Sequence, residues 1–551
     1  MTGPFRIALA QLNPVMGDIA GNLARARDAR ARVAHADVIL FSELFITGYP
    51  PEDLVLKGAL QADAREAVES LAADTASGPA ILIGAPWVEE GLLYNAMLLL
   101  DGGKIAGKSF KHELPNYGVF DEKRVFAAGP LPGPLNVRGI RLGVPICEDI
   151  WAPDACECLS ETGAEILAVP NGSPFEAGKE DVRVQLAVAR VSESGLPLIY
   201  LNQVGGQDEL VFDGASFVLN ADRSLALAMP SWREDVIVSE WSKGADGKWT
   251  CATGERAGEE SRESAVYNAM VLGLRDYVKK NRFPGVVLGL SGGIDSALSA
   301  AVAVDALGKE RVRCVMLPSR YTSQESFDDA DECARRLGVA YETIEIERAV
   351  KAFGETLAPV FAGKTADTTE ENIQSRIRAV ILMAISNKFG PMVLTTGNKS
   401  EMSVGYATLY GDMCGGFNVL KDVYKVEVFR LARWRNAHAP EGGLGPDGAV
   451  IPDNVIDKPP TAELKANQTD QDTLPPYEIL DGILECLVER EMSFEDTVAK
   501  GFDPATVKRV EQLLYVSEYK RRQAPPGVKI SPRNFGRDRR YPITNAFRDA
   551  R

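Results

Sequence analysis

The sequence predicts an α/β protein of two domains, and three observations support that prediction. The chain has 551 residues, enough for roughly two to four domains at about 150 residues each. Short β-rich runs alternate with amphipathic helical stretches along both halves. A polar, Gly-rich stretch without a sustained apolar period separates the halves. We therefore place one domain at 1–245, a linker at 246–264 and a second domain at 265–551.

Composition and charge restrict the function classes. Hydrophobic residues make up 45% and charged residues 25%, as in ordinary globular proteins, and the net charge is −16. An acidic chain has little non-specific affinity for nucleic acid or anionic membranes, so we expect neither partner. No apolar run reaches the roughly 18 residues of a membrane span, and the N-terminus indicates a strand rather than a signal peptide. The expected location is the cytoplasm.

The three histidines exclude a His-rich metal site and make a Ser-His-Asp hydrolase improbable. In the N-terminal half, Glu43, Lys111 and Cys147 each follow an apolar run that predicts a strand. A buried cysteine alone is usually an inert small hydrophobe, whereas a thiolate nucleophile needs a base and a nearby cation. With histidine scarce, glutamate and lysine are the available partners for Cys147.

One string imitates a nucleotide-binding loop. Residues 102–109 (GGKIAGKS) match the P-loop expression, which has physical meaning only between a strand and a helix. Here apolar runs flank a Gly-Gly pair, a pattern that predicts a β-hairpin. We therefore exclude these residues from nucleotide binding.

The C-terminal half predicts a doubly wound parallel sheet, because strands and helices alternate at the required spacing. The predicted strands are 286–290, 312–317, 341–346 and 392–396, and the predicted helices between them include 265–281, 296–307 and 324–337. Sites in such sheets lie at the carboxyl ends of the strands, where two Gly-bearing loops occur.

The first of these loops has the sequence SGGIDS at 291–296. Paired glycines let backbone N–H groups approach an anion, and the N-terminus of the following helix adds partial positive charge. Asp295 would repel phosphate unless it holds a cation, which predicts a magnesium ligand. A tight turn with Ser296 as a plain N-cap is the alternative interpretation.

In this context the loop resembles the PP-loop of the ATP pyrophosphatase family, which cleaves ATP between the α and β phosphates. The strings EENIQSRIR, TTGNKSE, GDMCGGF, VYKVEVFRL, PTAEL and EYKRRQ resemble motifs of the NAD synthetase family, and the resemblance covers nearly all of 265–540. It implies an adenine nucleotide alpha hydrolase-like fold.

The same resemblance implies roles for individual residues. The implied ATP-binding residues are Gly289, Leu290, Ser291, Gly292, Gly293, Ile294, Asp295, Ser296, Thr396 and Lys425. Asp295 and Glu401 would hold Mg²⁺, while Asn372, Glu401 and Lys520 would contact deamido-NAD.

The strings around Glu43, Lys111 and Cys147, together with HELPNYGVFDEKRVFAAG, resemble the nitrilase family over roughly 4–245. This resemblance implies an α-β-β-α sandwich and a glutaminase. Glu43 would be the general base, Lys111 the oxyanion stabiliser, Cys147 the nucleophile and Glu122 a second carboxylate that positions the lysine. The implied glutamine-binding residues are Tyr117, Ser173 and Lys179.

Together the two resemblances imply a ligase that amidates deamido-NAD with ammonia from glutamine and the energy of ATP. A dimer through the second half is expected. An amidotransferase with another acyl acceptor, a catalytically inactive nucleotide sensor and a plain amidase are the alternatives.

Overall fold

The computed structural model describes residues 4–465 and 468–549, and the chain divides into two compact units, Met1–Glu260 and Ser261–Arg551. Both units combine helices with β-sheets, which confirms the predicted α/β class. Among the helices described, none is long and apolar enough to cross a membrane.

The first unit is rich in short strands. Its strands are β1 (Phe5–Gln11), β2 (Val38–Phe41), β3 (Ala80–Glu89), β4 (Leu92–Asp101), β5 (Lys104–Phe110), β6 (Leu135–Val137), β7 (Ile140–Gly143), β8 (Ile166–Asn171), β9 (Leu198–Asn202), β10 (Val204–Gln207), β11 (Leu210–Asp213), β12 (Phe217–Leu219), β13 (Leu225–Ala228), β14 (Asp235–Lys243) and β15 (Trp249–Cys251). Its helices are α1 (Ile19–Arg32), α2 (Gly58–Asp74), α3 (Asp154–Glu161) and α4 (Lys179–Ser194).

Two sheets, ordered β15-β14-β1-β2-β3-β4-β5 and β13-β12-β9-β8-β7-β6, pack face to face in this unit. Alternate residues of β1 show why: Phe5, Ile7 and Leu9 belong to the core between the sheets, whereas Ala8 and Ala10 belong to the core under α1 and α2. Helices α3 and α4 cover the second sheet. The unit is therefore the predicted α-β-β-α sandwich.

Two local features of the first sheet concern the sequence analysis. Strands β4 and β5 form a hairpin closed by Gly102 and Gly103, which confirms the rejection of the P-loop match. Strand β15 lies inside the stretch 246–264 that we expected to be a linker, and it pairs with the end of β14. Only Trp249 and Cys251 are apolar there, too few to show a strand pattern.

The second unit is dominated by helices. Its strands are β16 (Val286–Gly289), β17 (Val312–Met316), β18 (Ala340–Thr343), β19 (Met392–Thr395) and β20 (Phe417–Asn418). Its helices are α5 (Arg262–Lys280), α6 (Ile294–Leu307), α7 (Gln324–Leu337), α8 (Glu347–Leu357), α9 (Thr368–Phe389), α10 (Lys399–Val404), α11 (Lys425–Ala437), α12 (Asp453–Asp457), α13 (Tyr477–Leu484), α14 (Phe494–Ala499), α15 (Pro504–Val516) and α16 (Glu518–Arg521).

The five strands form one parallel sheet in the order β18-β17-β16-β19-β20. The order reverses at β16, so this is the predicted doubly wound sheet. Its apolar residues Val287, Val315 and Val393 pack against α8 and α9. Helix α6, buried at every position except Asp295, packs between α5 and α11. The loops after β16 and β19 lie side by side at the carboxyl edge, where such sheets place their ligands.

Candidate functional site

A buried lysine between two carboxylates is the centre of the first unit. The Lys111 Nζ donates to Glu43 Oε1 at 2.7 Å and to Glu122 Oε1 at 2.8 Å. Lys111 and Glu43 are fully buried, and Glu122 is nearly so. Burial by itself would lower the pKa of Lys111, but the Glu122 and Glu43 carboxylates raise it well above its usual range. Lys111 is therefore a fixed cation.

Neutral donors hold Glu43 and Glu122 in place. Asn95 Nδ2 donates to Glu43 Oε1 at 2.7 Å, and the Gly172 N–H donates to Glu43 Oε2 at 2.9 Å. Tyr49 Oη donates to Glu122 Oε1 at 2.8 Å. Burial raises the pKa of Glu122 to about 7, against the opposing effect of Lys111. Strands from distant parts of the sequence thus fix one geometry for the lysine and both carboxylates.

Cys147 begins a short 3₁₀ helix (Cys147–Ile150) after β7, with a φ of +46°. A non-glycine residue in the left-handed region is strained, and such strain recurs at functional sites. The thiol is free and 5% exposed. Burial and then the Glu43 carboxylate raise the pKa of Cys147 well above its usual value, whereas Lys111 opposes the rise. A thiol in this setting reacts only if a neighbouring base removes its proton.

Two of the expected glutamine-binding residues gather around Glu148, which follows Cys147 directly. Tyr117 Oη donates to Glu148 Oε1 at 2.8 Å. The Lys179 ammonium lies 5.9 Å from the centre of the Phe120 ring, and its charge acts on Glu148. Tyr117 is 53% exposed, so this cluster opens to solvent while the lysine cluster is closed.

Ser173, the third of these residues, is held by a buried polar network. Arg183 Nε donates to Ser173 Oγ at 3.1 Å, and Arg183 Nη1 contacts both Asp213 carboxylate oxygens at 2.8 and 2.7 Å. The Ser173 N–H donates to Asn202 Oδ1 at 2.9 Å. The Ser173 hydroxyl is also hydrogen-bonded to Tyr200, so both its oxygen and its proton have partners in this network.

In the second unit, the loop between β16 and α6 has the geometry of an anion-binding turn. Gly292 has a φ of +80°, and a Cβ there would meet Ser326 O at 2.4 Å, so only glycine fits. Ser296 Oγ accepts from the Ser291 N–H at 3.2 Å and contacts Ser291 Oγ at 3.1 Å. The N-terminus of the 14-residue α6 follows directly.

A second buried lysine lies between two carboxylates at this loop. Lys425, the first residue of α11, is 2% exposed; its Nζ contacts Asp295 Oδ2 directly and Glu401 Oε1 at 3.4 Å. Asn398 donates from Nδ2 to Asp295 Oδ1 at 2.9 Å and caps α10, the helix that carries Glu401. Burial raises the pKa of Glu401. The Lys425 ammonium opposes this rise, and the neighbouring Asp295 charge adds to it. Two carboxylates and one ammonium thus share a small volume.

The short helix α10 is fixed from behind by the C-terminal part of the chain. The Lys399 Nζ is fully buried and contacts Asp422 at 2.7 Å, Ser531 Oγ at 2.6 Å and the Arg533 carbonyl at 2.9 Å. Asp422 in turn accepts from the Ile530 and Ser531 N–H groups. The residues around 529–533 therefore support the helix that presents Asn398 and Glu401.

A cavity of about 310 Å³ lies over the carboxyl edge of the parallel sheet. Most expected ATP-binding and metal-binding residues line it, namely Gly289, Leu290, Ser291, Gly293, Ile294, Asp295, Ser296, Thr396, Glu401 and Lys425. Gly292 shapes the loop without lining the cavity. The cavity is large enough for a nucleotide and combines apolar walls with a few convergent polar groups.

The remaining expected residues, Asn372 and Lys520, do not line this cavity. Both contact the segment after α10: Thr408 Oγ1 donates to Asn372 Oδ1 at 2.8 Å, and the Lys520 Nζ donates to the Gly405 and Ala407 carbonyls at 2.8 and 2.7 Å. Burial lowers the pKa of Lys520.

Sequence reasoning missed several residues of these clusters. Asn95 and Arg183 belong to no motif and act through partners elsewhere in the chain. Asp149 lies in the string around Cys147, but its contacts with His112 and Glu113 leave no pattern in the sequence. Asn398 could have been found, because Asn followed three residues later by Glu is a capping-box signal.

Comparison with known proteins assigns a family to each unit. Residues 6–245 match the carbon-nitrogen hydrolase family and residues 266–524 match the NAD synthase family. The chain thus joins a hydrolase of carbon–nitrogen bonds to a nucleotide-dependent synthase.

Full-length relatives have both domains in the same order. The glutamine-dependent NAD(+) synthetase of Rhodobacter capsulatus is 55% identical over 551 residues, which is 100% of both chains. The solved structure of the Acinetobacter baumannii enzyme in complex with ADP is 44% identical, with a TM-score of 0.78 and 98% coverage of each chain. That of the Cytophaga hutchinsonii enzyme, 23% identical with a TM-score of 0.82 and 98% coverage of each chain, shares the fold. The chain belongs to the glutamine-dependent NAD(+) synthetase family.

Proposed function

We propose that this enzyme converts deamido-NAD, ATP, glutamine and water into NAD, AMP, pyrophosphate and glutamate. The observation that carries the proposal is the presence, in one chain, of a nucleophile beside a buried lysine–carboxylate cluster and a nucleotide-sized cavity with a second such cluster. The first would release ammonia and the second would activate its acceptor.

In the glutaminase unit, Glu43 takes the proton of the Cys147 thiol, and the sulfur attacks the carboxamide carbon of glutamine. Lys111, held charged by two carboxylates, stabilises the oxyanion that forms. The tetrahedral intermediate collapses to a glutamyl thioester as Glu43 returns its proton to the departing ammonia. A water molecule, activated by Glu43, then releases glutamate. Tyr117, Ser173 and Lys179 hold the glutamine.

In the synthetase unit, residues 289–296 together with Thr396 bind ATP, and Asn372, Glu401 and Lys520 bind deamido-NAD. The nicotinate carboxylate attacks the α-phosphorus, pyrophosphate leaves, and ammonia displaces AMP from the acyl-adenylate. Lys425 reaches the phosphates and offsets their charge.

Asp295 and Glu401 are the residues that would hold Mg²⁺. Their carboxylate oxygens converge on one ammonium, and oxygen donors are what this ion prefers. The described residues, 4–465 and 468–549, contain no cluster of three or more His, Cys, Asp or Glu that could hold a metal, so substrate phosphates would complete the coordination. Bound there, the ion would neutralise charge on the phosphates.

The test compares wild type with Cys147→Ala, given magnesium-ATP and deamido-NAD with either glutamine or an ammonium salt. We expect the variant to lose NAD formation from glutamine by at least about 10³-fold, because no thioester can form. NAD formation from ammonium should stay within about twofold of wild type. Wild type that hydrolyses glutamine but makes no NAD from either donor would contradict the assigned acceptor.

Two further points are proposals about the whole molecule. A homodimer through the second unit is supported by α9, where Val380 and Phe389 are 67% and 62% exposed. Light scattering of wild type and of a Val380→Asp, Phe389→Asp double variant tests it. The proposed compartment is the cytoplasm, because the reaction consumes ATP and glutamine.

A further inference from the structure

We propose that Asp149 is a positioning residue for the glutaminase, and that it sets the distance between the Cys147 nucleophile and the Lys111 cation. This inference rests on the proposed function. Asp149 lies two residues after Cys147 in the same 3₁₀ helix and is fully buried.

The Asp149 carboxylate joins two chain segments that the sequence keeps far apart. Oδ1 accepts from the His112 N–H at 3.0 Å and from the Glu113 N–H at 2.7 Å, the two residues that follow Lys111. Oδ2 accepts from the Ile146 N–H at 2.8 Å, the residue that precedes Cys147. The Asp149 carboxylate therefore accepts three hydrogen bonds, two from the residues that follow Lys111 and one from the residue that precedes Cys147.

The donors of these hydrogen bonds are backbone N–H groups. The bonds therefore fix the backbone positions next to Cys147 and Lys111 rather than the rotamers of the two side chains. The other bonds of Lys111, to Glu43 and Glu122, fix its ammonium group but do not involve the Cys147 turn. The strained φ of Cys147 also needs a local restraint, and the contact from Asp149 to Ile146 supplies it across that residue. Catalysis depends steeply on such geometry, since a misplacement of about 1 Å can cost roughly 10²-fold in rate.

Two substitutions grade the effect. Asp149→Asn keeps one oxygen for the His112 and Glu113 N–H groups but places an amide donor against the Ile146 N–H. Asp149→Leu keeps the branched shape in a larger side chain without oxygens, and it leaves all three donors without a partner. We expect kcat for glutamine hydrolysis to fall about 10-fold in the first variant and about 100-fold in the second.

The matched control is Asp154→Asn, an exposed carboxylate nearby at the start of α3. Three readouts accompany kcat: the KM for glutamine, the rate at which an electrophilic glutamine analogue labels Cys147, and NAD formation from ammonium in the same variants. We expect a KM within about threefold of wild type in both variants. Labelling should be slower in Asp149→Asn than in wild type and slower still in Asp149→Leu. NAD formation from ammonium should match that of the control.

A wild-type kcat in Asp149→Leu would overturn the proposal. So would a change confined to KM, or a loss in Asp149→Asn shared equally by glutamine and ammonium, since either indicates a role in binding or in folding. The proposed function fails separately, if Cys147→Ala still forms NAD from glutamine while the Asp149 variants do not.

Discussion

The two candidate sites share one device and differ in what surrounds it. Each has a buried lysine between two carboxylates, Lys111 between Glu43 and Glu122 in the first unit and Lys425 between Asp295 and Glu401 in the second. Around Lys111 the side chains are fully buried or nearly so. Asp295 and Glu401, in contrast, are each 18% exposed at the side chain and line a cavity of about 310 Å³.

That difference separates two kinds of chemistry. In the closed cluster, the lysine cannot exchange its carboxylate partners. Such a cluster suits a fixed oxyanion stabiliser and a base beside a thiol. The open pair can give its carboxylate oxygens to another cation and its ammonium to an anion, as a magnesium–nucleotide substrate requires. The roles proposed for the two sites therefore depend on the exposure of the carboxylates more than on their identity.

The largest expected effect breaks the closed site alone. Lys111→Met should lower glutamine-dependent NAD formation by about 10³-fold, because the oxyanion loses its cation and two buried carboxylates lose their partner. NAD formation from ammonium should remain. Parallel assays with glutamine and ammonium check this. An equal loss with both donors would mean that the substitution disturbs folding of the whole chain.

Asp295→Asn breaks the open site. The amide keeps the shape and a contact to Asn398, but Lys425 loses a charged partner and the expected Mg²⁺ site loses a ligand. NAD formation from either donor should fall by about 10²-fold. Labelling of Cys147 by an electrophilic glutamine analogue should not change, and slower labelling would contradict the separation of the two sites.

A smaller effect concerns pH. The pKa of Glu122 is raised to about 7, chiefly by burial. As the pH falls through this value the carboxyl gains a proton and Lys111 keeps only one charged partner. Glutamine hydrolysis should therefore decrease about tenfold per pH unit below 7. Glu122→Gln should be slower at pH 8 but flat across this window, and a pH–rate profile of both proteins decides the matter.

The last substitution, at Lys108, should leave ATP binding unchanged. Lys108, in the string that imitates a P-loop, lies on a hairpin and pairs with Glu89 at the surface. Lys108→Ala should bind ATP as wild type does, with a change in unfolding free energy below about 1 kcal/mol. Calorimetric titration with ATP and thermal unfolding measure both, and a loss of ATP affinity would restore the rejected motif.

The sequence predicted β16 to β19 and α5 to α7 of the second unit to within three residues, because their apolar runs are separated by breaks that contain turn residues. It gave no bounds for β20 or for the helices from α8 onward. The helix at 324–337 was predicted with its observed bounds, and that at 265–281 differs by three residues at its start. It predicted β15 poorly, since a three-residue edge strand with two apolar side chains has no detectable period.

For the sites, the limit was distance along the chain. Glu43 and Lys111 are separated by 68 residues, and the sequence indicated them only through strand ends and family resemblance. The partners that hold them, such as Asn95 and Gly172, act through single hydrogen bonds and leave no pattern in one sequence. The roles of the individual site residues remain predictions until the variants are measured.

The contact between Lys399 and the segment around 529–533 has a consequence for truncated chains. A chain cut short before residue 529 would keep every residue of the glutaminase unit but lose the support of α10. Under the proposed function, such a product would keep the nucleophile Cys147 beside a weakened acceptor site, and we expect it to hydrolyse glutamine with less NAD formed per glutamine.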